Sequence, residues 1–173
     1  MPKPLELEAL MEYAVRSLAS RAQSSGEIRE KLRRRAVRVA DVDVVLGRLK
    51  DLGYLNDKRF ADSFASWRRE NDGFGKTRVL RDLMARRVAP AVAKQAAEAA
   101  YKSVDETAMI EKFLERKYRG KDLGALLQEE KHLASAYRKL RAAGFAMGNS
   151  IRVLKRYAAE AERLEEMKED GGV

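Results

Sequence analysis

The chain has 173 residues, with 36 Lys and Arg against 27 Asp and Glu for a formal net charge of +9, 45% hydrophobic residues and no cysteine. That composition can bury a core, as one domain or as a short array of small units, and is not that of a disordered tail. The lack of cysteine excludes a disulfide framework, a thiolate nucleophile and any Cys-ligated zinc or iron–sulfur site. Acids at Glu6 and Glu8 interrupt what a secretory signal would keep apolar, and the longest uncharged stretch, residues 142–151, is far short of the roughly 20 residues of a spanning helix. A cytoplasmic protein without a membrane segment is expected.

The basic excess is concentrated. Residues 1–157 carry 34 Lys and Arg and 21 Asp and Glu, a balance of +13, whereas residues 158–173 carry two and six, a balance of −4. Such a body attracts an anionic partner, either a phosphate backbone or an acidic protein surface, through a force that weakens with salt.

Prolines stand only at positions 2, 4 and 90, good helix formers dominate, and strand signals are nearly absent. Leu7, Leu10, Ala14 and Leu18 share one face of a first helix, about 6–22. Ser24 and Glu27 have capping-box spacing for a second, which carries Ile28 and Leu32. Asp41 is the expected N-cap of a third, with Val42, Val45, Leu46 and Leu49 on its inner face and Gly53 at its stop. A longer helix is expected over about 57–71, with Phe60, Phe64 and Trp67 directed into the core. Another is expected over about 105–119, with Ile110, Phe113, Leu114 and Tyr118 likewise inward. Residues 158–173 are expected to extend the last helix and fray.

The pattern recurs about Leu32, Leu83 and Leu140, which are 51 and 57 residues apart. Four residues before each stands Ile28, Val79 or Ala136, and five after each stands Val37, Val88 or Phe145. Thirteen, fourteen and seventeen residues on come Val45, Leu46 and Leu49, then Ala96, Ala97 and Ala100, then Val153, Leu154 and Tyr157. Self-similarity of this kind marks a repeat array. The expected fold is all-α, an elongated array of three tandem three-helix repeats at residues 1–55, 56–103 and 104–157, followed by an acidic extension over 158–173.

Distributed residues carry a family resemblance over about residues 9–157. They are Tyr13, Ala14, Leu18 and Arg21; Ser25, Glu27, Ile28, Lys31 and Leu32; the run Gly53-Tyr54-Leu55-Asn56-Asp57-Lys58-Arg59-Phe60-Ala61; Gly75, Arg78, Val79 and Leu83; and Arg141, Gly144, Phe145, Ile151 and Leu154. Together they resemble the RecX family of bacterial regulatory proteins. That family commonly has Gly before the apolar residue following each anchor leucine; here Ala36 and Arg87 replace it and only Gly144 keeps it. The resemblance implies a non-enzymatic regulator of the RecA recombinase that lies in the groove of the RecA filament on single-stranded DNA. Inhibition of the filament's ATPase and strand exchange is implied with it, and no cofactor.

Other constellations are weak. Gly73-Phe74-Gly75-Lys76-Thr77 imitates the end of a phosphate-binding P-loop, but Glu70 stands where the first glycine belongs and no strand precedes it, so an interhelical turn is expected. His132 is the only imidazole and has no partner at motif spacing for a metal site or a triad. The candidates for partner or DNA contact are basic: Arg33, Arg34, Arg35 and Arg38; Arg68, Arg69, Lys76, Arg78, Arg86 and Arg87; and Arg138, Lys139 and Arg141. Their recurrence beside each anchor predicts basic patches along one side of the array. A basic helical protein that binds DNA or RNA directly is the alternative, and a scaffold without regulatory effect is another; weak direct contact with DNA is an expected addition to filament binding, and a monomer is the simpler assembly.

Overall fold

The computed structural model describes residues 3–158 and Ala161; the expected helical extension over 158–173 otherwise lies outside the described residues. The architecture is all-α. Among the described residues ten helices follow in order: α1 (Leu7–Ser20), α2 (Ser25–Arg33), α3 (Val39–Asp51), α4 (Asp57–Trp67), α5 (Lys76–Ala85), α6 (Pro90–Tyr101), α7 (Glu106–Lys117), α8 (Leu123–Leu126), α9 (Glu130–Ala142) and α10 (Met147–Leu154). A single π-helical turn, Arg68–Asp72, follows α4. Among the described residues extended pairing is confined to one isolated bridge between Leu5 and Ala36.

Two compact units divide the chain, Met1–Trp67 with Leu80–Ala100 and Arg68–Val79 with Tyr101–Val173. In the first, α1, α2 and α3 close over Leu10, Ile28, Leu32, Val42, Val45 and Leu49, all essentially without exposure. Its later helices bury mainly small side chains, Ala61 and Ala65 on α4 and Ala93, Ala96 and Ala97 on α6. In the second unit, Ile110 and Leu114 of α7, Leu140 of α9 and Ile151 and Leu154 of α10 pack with Phe145, whose ring meets Phe113 edge-on at 5.6 Å.

Local chemistry explains the helix ends. α1 stops at Ser20, two residues before the expected end, because the Ser17 carbonyl accepts from Ser20 Oγ (2.7 Å) and Gln23 Nε2 (2.6 Å), which satisfy the terminal turn. The capping box at α2 is present as expected: Ser24 Oγ accepts from the Glu27 N–H (3.1 Å) and the Glu27 carboxylate accepts from the Ser24 N–H (3.0 Å). The expected N-cap Asp41 is instead inside the first turn of α3. It is buried and accepts from the Arg38 guanidinium at 3.0 and 3.2 Å, and the helix begins at Val39 with Arg38 as its N-cap, three residues earlier than expected.

The three anchors Leu32, Leu83 and Leu140 are fully buried, and so are Ile28, Val79 and Ala136 before them. The turns after them differ. Behind Leu83 and Leu140, a 6→1 hydrogen bond closes the helix, from Val88 N–H to the Leu83 carbonyl and from Phe145 N–H to the Leu140 carbonyl, both 3.2 Å. Gly144 takes φ +91° there, and Arg87, without glycine's freedom, takes φ +57°. Behind Leu32 that closure is replaced by the N-terminal segment, where Val37 N–H donates to the Leu5 carbonyl at 3.1 Å. Val37 is consequently 50% exposed while Val88 and Phe145 are buried.

Candidate partner-binding site

Six of the thirteen basic candidates take part in the packing of the fold. Arg86 forks the Glu27 carboxylate at 2.7 and 3.0 Å and donates to the Ala22 carbonyl at 3.1 Å. Arg35 lies over the Tyr13 ring at 5.0 Å. Arg68 pairs with Asp72 at 2.5 Å, and both it and Arg78 flank the Phe74 ring, at 4.7 and 4.9 Å. Arg78 also donates to the Ala142 carbonyl, Arg141 to the Phe145 carbonyl, and Lys139 to the Tyr118 hydroxyl. Arg69 is half-buried and pairs with Glu70.

Arg33, Arg34, Arg38, Lys76, Arg87 and Arg138 are exposed. Arg38 is held by Asp41. Arg33, Arg34 and Arg87 are brought together in the first unit around Glu30: Arg34 bonds that carboxylate at 2.9 Å, and the N-terminal turn of α2 rests on Arg87. The Arg34 hydrogen bond, followed by the charges of Arg87 and Arg33, holds the Glu30 carboxyl below its ordinary range. One guanidinium paired with the carboxylate and two further exposed arginines whose charges reach it leave a net positive patch suited to phosphate or carboxylate oxygens.

The aromatic residues of α4 are not core. Ala61 and Ala65 occupy the buried face, Phe60 and Phe64 are half-buried, and Trp67 is 56% exposed. With Val15 and Leu18 of α1 and Tyr54 of the α3–α4 turn, they line a groove of about 710 Å³ within the first unit. Phe60 and Phe64 stack at 6.0 Å, and the Arg86 guanidinium sits 5.0 and 5.6 Å from their ring centres. Sequence reasoning assigned the wider aromatic stripe to the interior; the signal it passed over is the adjacent stripe of small residues, which lets a helix pack closely while turning its large side chains aside.

The Gly73–Thr77 segment is an interhelical turn leading into α5, as expected. Its Gly75 and Thr77 N–H groups already donate to the Ala143 (2.8 Å) and Gly144 (3.2 Å) carbonyls, so they do not cradle a phosphate. His132 is partly exposed, 3.4 Å from Glu129. Among the described residues no group of three or more His, Asp or Glu is placed to hold a metal ion, and no helix is long and apolar enough to cross a membrane.

Comparison with known proteins follows the same lines. The sequence model for the first three-helix domain of RecX matches residues 11–49, and that for the second matches residues 56–96. The regulatory protein RecX of Amycolatopsis mediterranei is 28% identical over 155 residues, covering 86% of this chain and 85% of that protein. That of Deinococcus radiodurans is 42% identical over 81 residues, 46% of this chain, and the match spans only 37% of that relative's length. The crystal structure of RecX from Lactobacillus salivarius shares the fold with a TM-score of 0.66 at 16% identity, covering 87% of this chain and 96% of that one. Helical repeats built on buried anchor leucines, with both three-helix domains matched in order, establish that the chain belongs to the RecX family of regulatory proteins.

Proposed function

We propose that this chain regulates a RecA recombinase as an inhibitor, binding in the groove of the RecA filament on single-stranded DNA and modulating its ATPase, growth and strand exchange. The observation that carries the reading is the ordered match to both RecX three-helix domains. The units of contact in this reading are three tandem three-helix repeats, at residues 1–55, 56–103 and 104–157, in a cytoplasmic monomer that performs no catalysis of its own. Repeated small units suit a filament, because weak contacts to successive protomers add through effective concentration. Contacts that prefer one filament geometry shift the population toward it, and with it assembly and ATP turnover.

The test is the single-stranded-DNA-dependent ATPase of the cognate RecA titrated with this protein, beside binding to the same DNA without RecA. Substoichiometric inhibition with weak binding to bare DNA is the expected result. Unchanged turnover with tight binding to bare DNA would replace the reading with direct nucleic-acid binding. That second reading is favoured by one observation, the exposed group of Arg33, Arg34 and Arg87, and it requires binding that falls steeply with salt in the absence of RecA.

A further inference from the structure

The groove of the first unit has the properties of a prepared docking surface. Its volume of about 710 Å³ lies in the range of natural binding clefts. Two of its aromatic side chains, Tyr54 and Trp67, are 53% and 56% exposed, which is unusual for residues so large lining one groove. The floor is fixed: Arg86 is held by the Glu27 carboxylate and the Ala22 carbonyl, and it lies against the stacked pair of Phe60 and Phe64. A fixed floor gives up little side-chain entropy when covered, and exposed Trp and Tyr are the residue types that dominate binding energy at interfaces.

Charge selects the occupant. The charged residues lining the groove are Arg59 and Arg86, with no carboxylate among them. Arg86 is neutralised by Glu27, whereas Arg59 is exposed and has one long bond, 3.4 Å to the Gly53 carbonyl. A single available guanidinium beside an apolar trough does not make a track for a phosphate backbone, which needs successive cations. The faces of Phe60 and Phe64 are also taken, by each other and by Arg86, so they are not open platforms for bases.

We infer that this groove docks a protein segment of the regulated recombinase that presents apolar side chains flanked by a carboxylate, the apolar groups entering beside Trp67 and the carboxylate meeting Arg59. The inference rests on the regulatory reading above and adds to it where the partner is gripped and by what chemistry.

The absence of cysteine makes the test direct, since Ser63→Cys puts a single thiol on the groove wall and Glu98→Cys puts one on the exposed side of α6. Each variant carries an environment-sensitive fluorophore and is titrated with RecA filament on single-stranded DNA, and separately with oligo(dT) alone. Trp67→Ala and Arg59→Glu, both at exposed positions, are compared with the parent protein for filament affinity. The expected result is a blue shift at position 63 and none at 98 on filament binding, with affinity reduced about tenfold or more by each substitution. Filament binding with an unchanged probe and affinities within about twofold of the parent overturns the groove while the regulatory reading stands. No binding of the parent to filament removes both. A response at position 63 to oligo(dT) alone, as large as that to filament, replaces the protein segment with a nucleic acid.

Discussion

Gly26 in the first turn of α2 lies against the end of α5 so closely that a Cβ at Gly26 would stand 2.3 Å from the Arg87 carbonyl oxygen and 2.6 Å from the Arg87 Cβ. Ser24 Oγ donates to the Arg86 carbonyl at 2.5 Å beside it. The second unit repeats the joint: a Cβ at Gly75 would meet the Gly144 carbonyl oxygen at 2.4 Å, and the Gly75 N–H donates to the Ala143 carbonyl. A helix start set on the carbonyls that end another helix places positive against negative dipole ends.

Gly26→Ala is therefore expected to destabilise. The obstructing atoms are the Arg87 carbonyl group and Cβ, none of them the far end of a flexible side chain, so the helices must part, and overpacking of this kind costs about 1–3 kcal/mol. Alanine's higher helix propensity returns at most about 1 kcal/mol, and less in a first turn. Urea denaturation should show a lowered midpoint with an unchanged slope; a raised midpoint would mean that the joint is looser than it stands here.

Substitution at the two equivalent turns should act in opposite directions. Arg87 holds φ +57°, a left-handed conformation that costs an L-residue about 1–2 kcal/mol. Arg87→Gly relieves that cost and should raise stability by about 0.5–1 kcal/mol after the extra freedom of glycine in the unfolded chain is deducted. Gly144→Ala should lower it, because the position holds φ +91° and its Cβ would stand 2.2 Å from the Arg78 nitrogen. Paired thermal melts decide this, and equal signs at the two sites would refute their equivalence.

Glu27 links stability to pH. Burial pushes its carboxyl up, but the Arg86 hydrogen bond, the Ser24 N–H, and the charges of Arg86 and Arg21 together hold it below its ordinary value of 4.5. A depressed folded-state value means that the contribution is complete above 4.5 and is lost as pH falls through the lowered value. Glu27→Gln should cost about 1–3 kcal/mol at neutral pH through weakened charge-assisted bonds. Its stability deficit relative to the parent should shrink below pH 4.5. A deficit constant down to pH 2.5, ~2 units below the ordinary range, would show that the carboxylate's charge is not what matters.

Much of the fold was legible because its signals are local. The capping box at Ser24 and Glu27, the left-handed stop at Gly53 and the leucine anchors are each set by a few neighbouring residues. The misplaced features have two causes, one distant in the chain and one adjacent. Val37 is exposed because Leu5 closes its turn, and the α4 aromatics face a groove because Ala61 and Ala65 take the packed face. The basic candidates divide on the same ground: a sequence displays arginines but not that Arg86 answers Glu27, 59 positions away, while Arg87 beside it is exposed.

Tyr101 gives an alkaline counterpart. Its hydroxyl donates to the Phe74 carbonyl, and burial is the main cause that pushes it up to about 12 from 10. A raised value means that the folded state favours the neutral phenol, so this contribution is present below pH 10 and is lost as pH rises toward 12. Tyr101→Phe should cost about 1 kcal/mol at neutral pH, by leaving the Phe74 carbonyl without its donor, and should flatten the decline above pH 10. The phenolate absorbance of the parent minus that of the variant should give a titration displaced upward from 10 toward 12.

The Arg33, Arg34 and Arg87 group offers a test in both directions because Glu30 sits inside it. Replacing Glu30 by Gln frees Arg34 and removes a repulsive charge, so affinity for oligo(dT) should rise. The triple variant Arg33→Ala, Arg34→Ala, Arg87→Gly should lower it and reduce the slope of log affinity against log salt by up to about 2, near 0.7 for each phosphate of a single strand that is no longer neutralised. The turn at position 87 is expected to gain stability from glycine, so weaker binding with unchanged helicity by circular dichroism would report weaker phosphate binding and not a damaged fold. An unchanged salt slope in the triple variant would make the group a solvated surface, and the basic excess of the body would then have to act elsewhere.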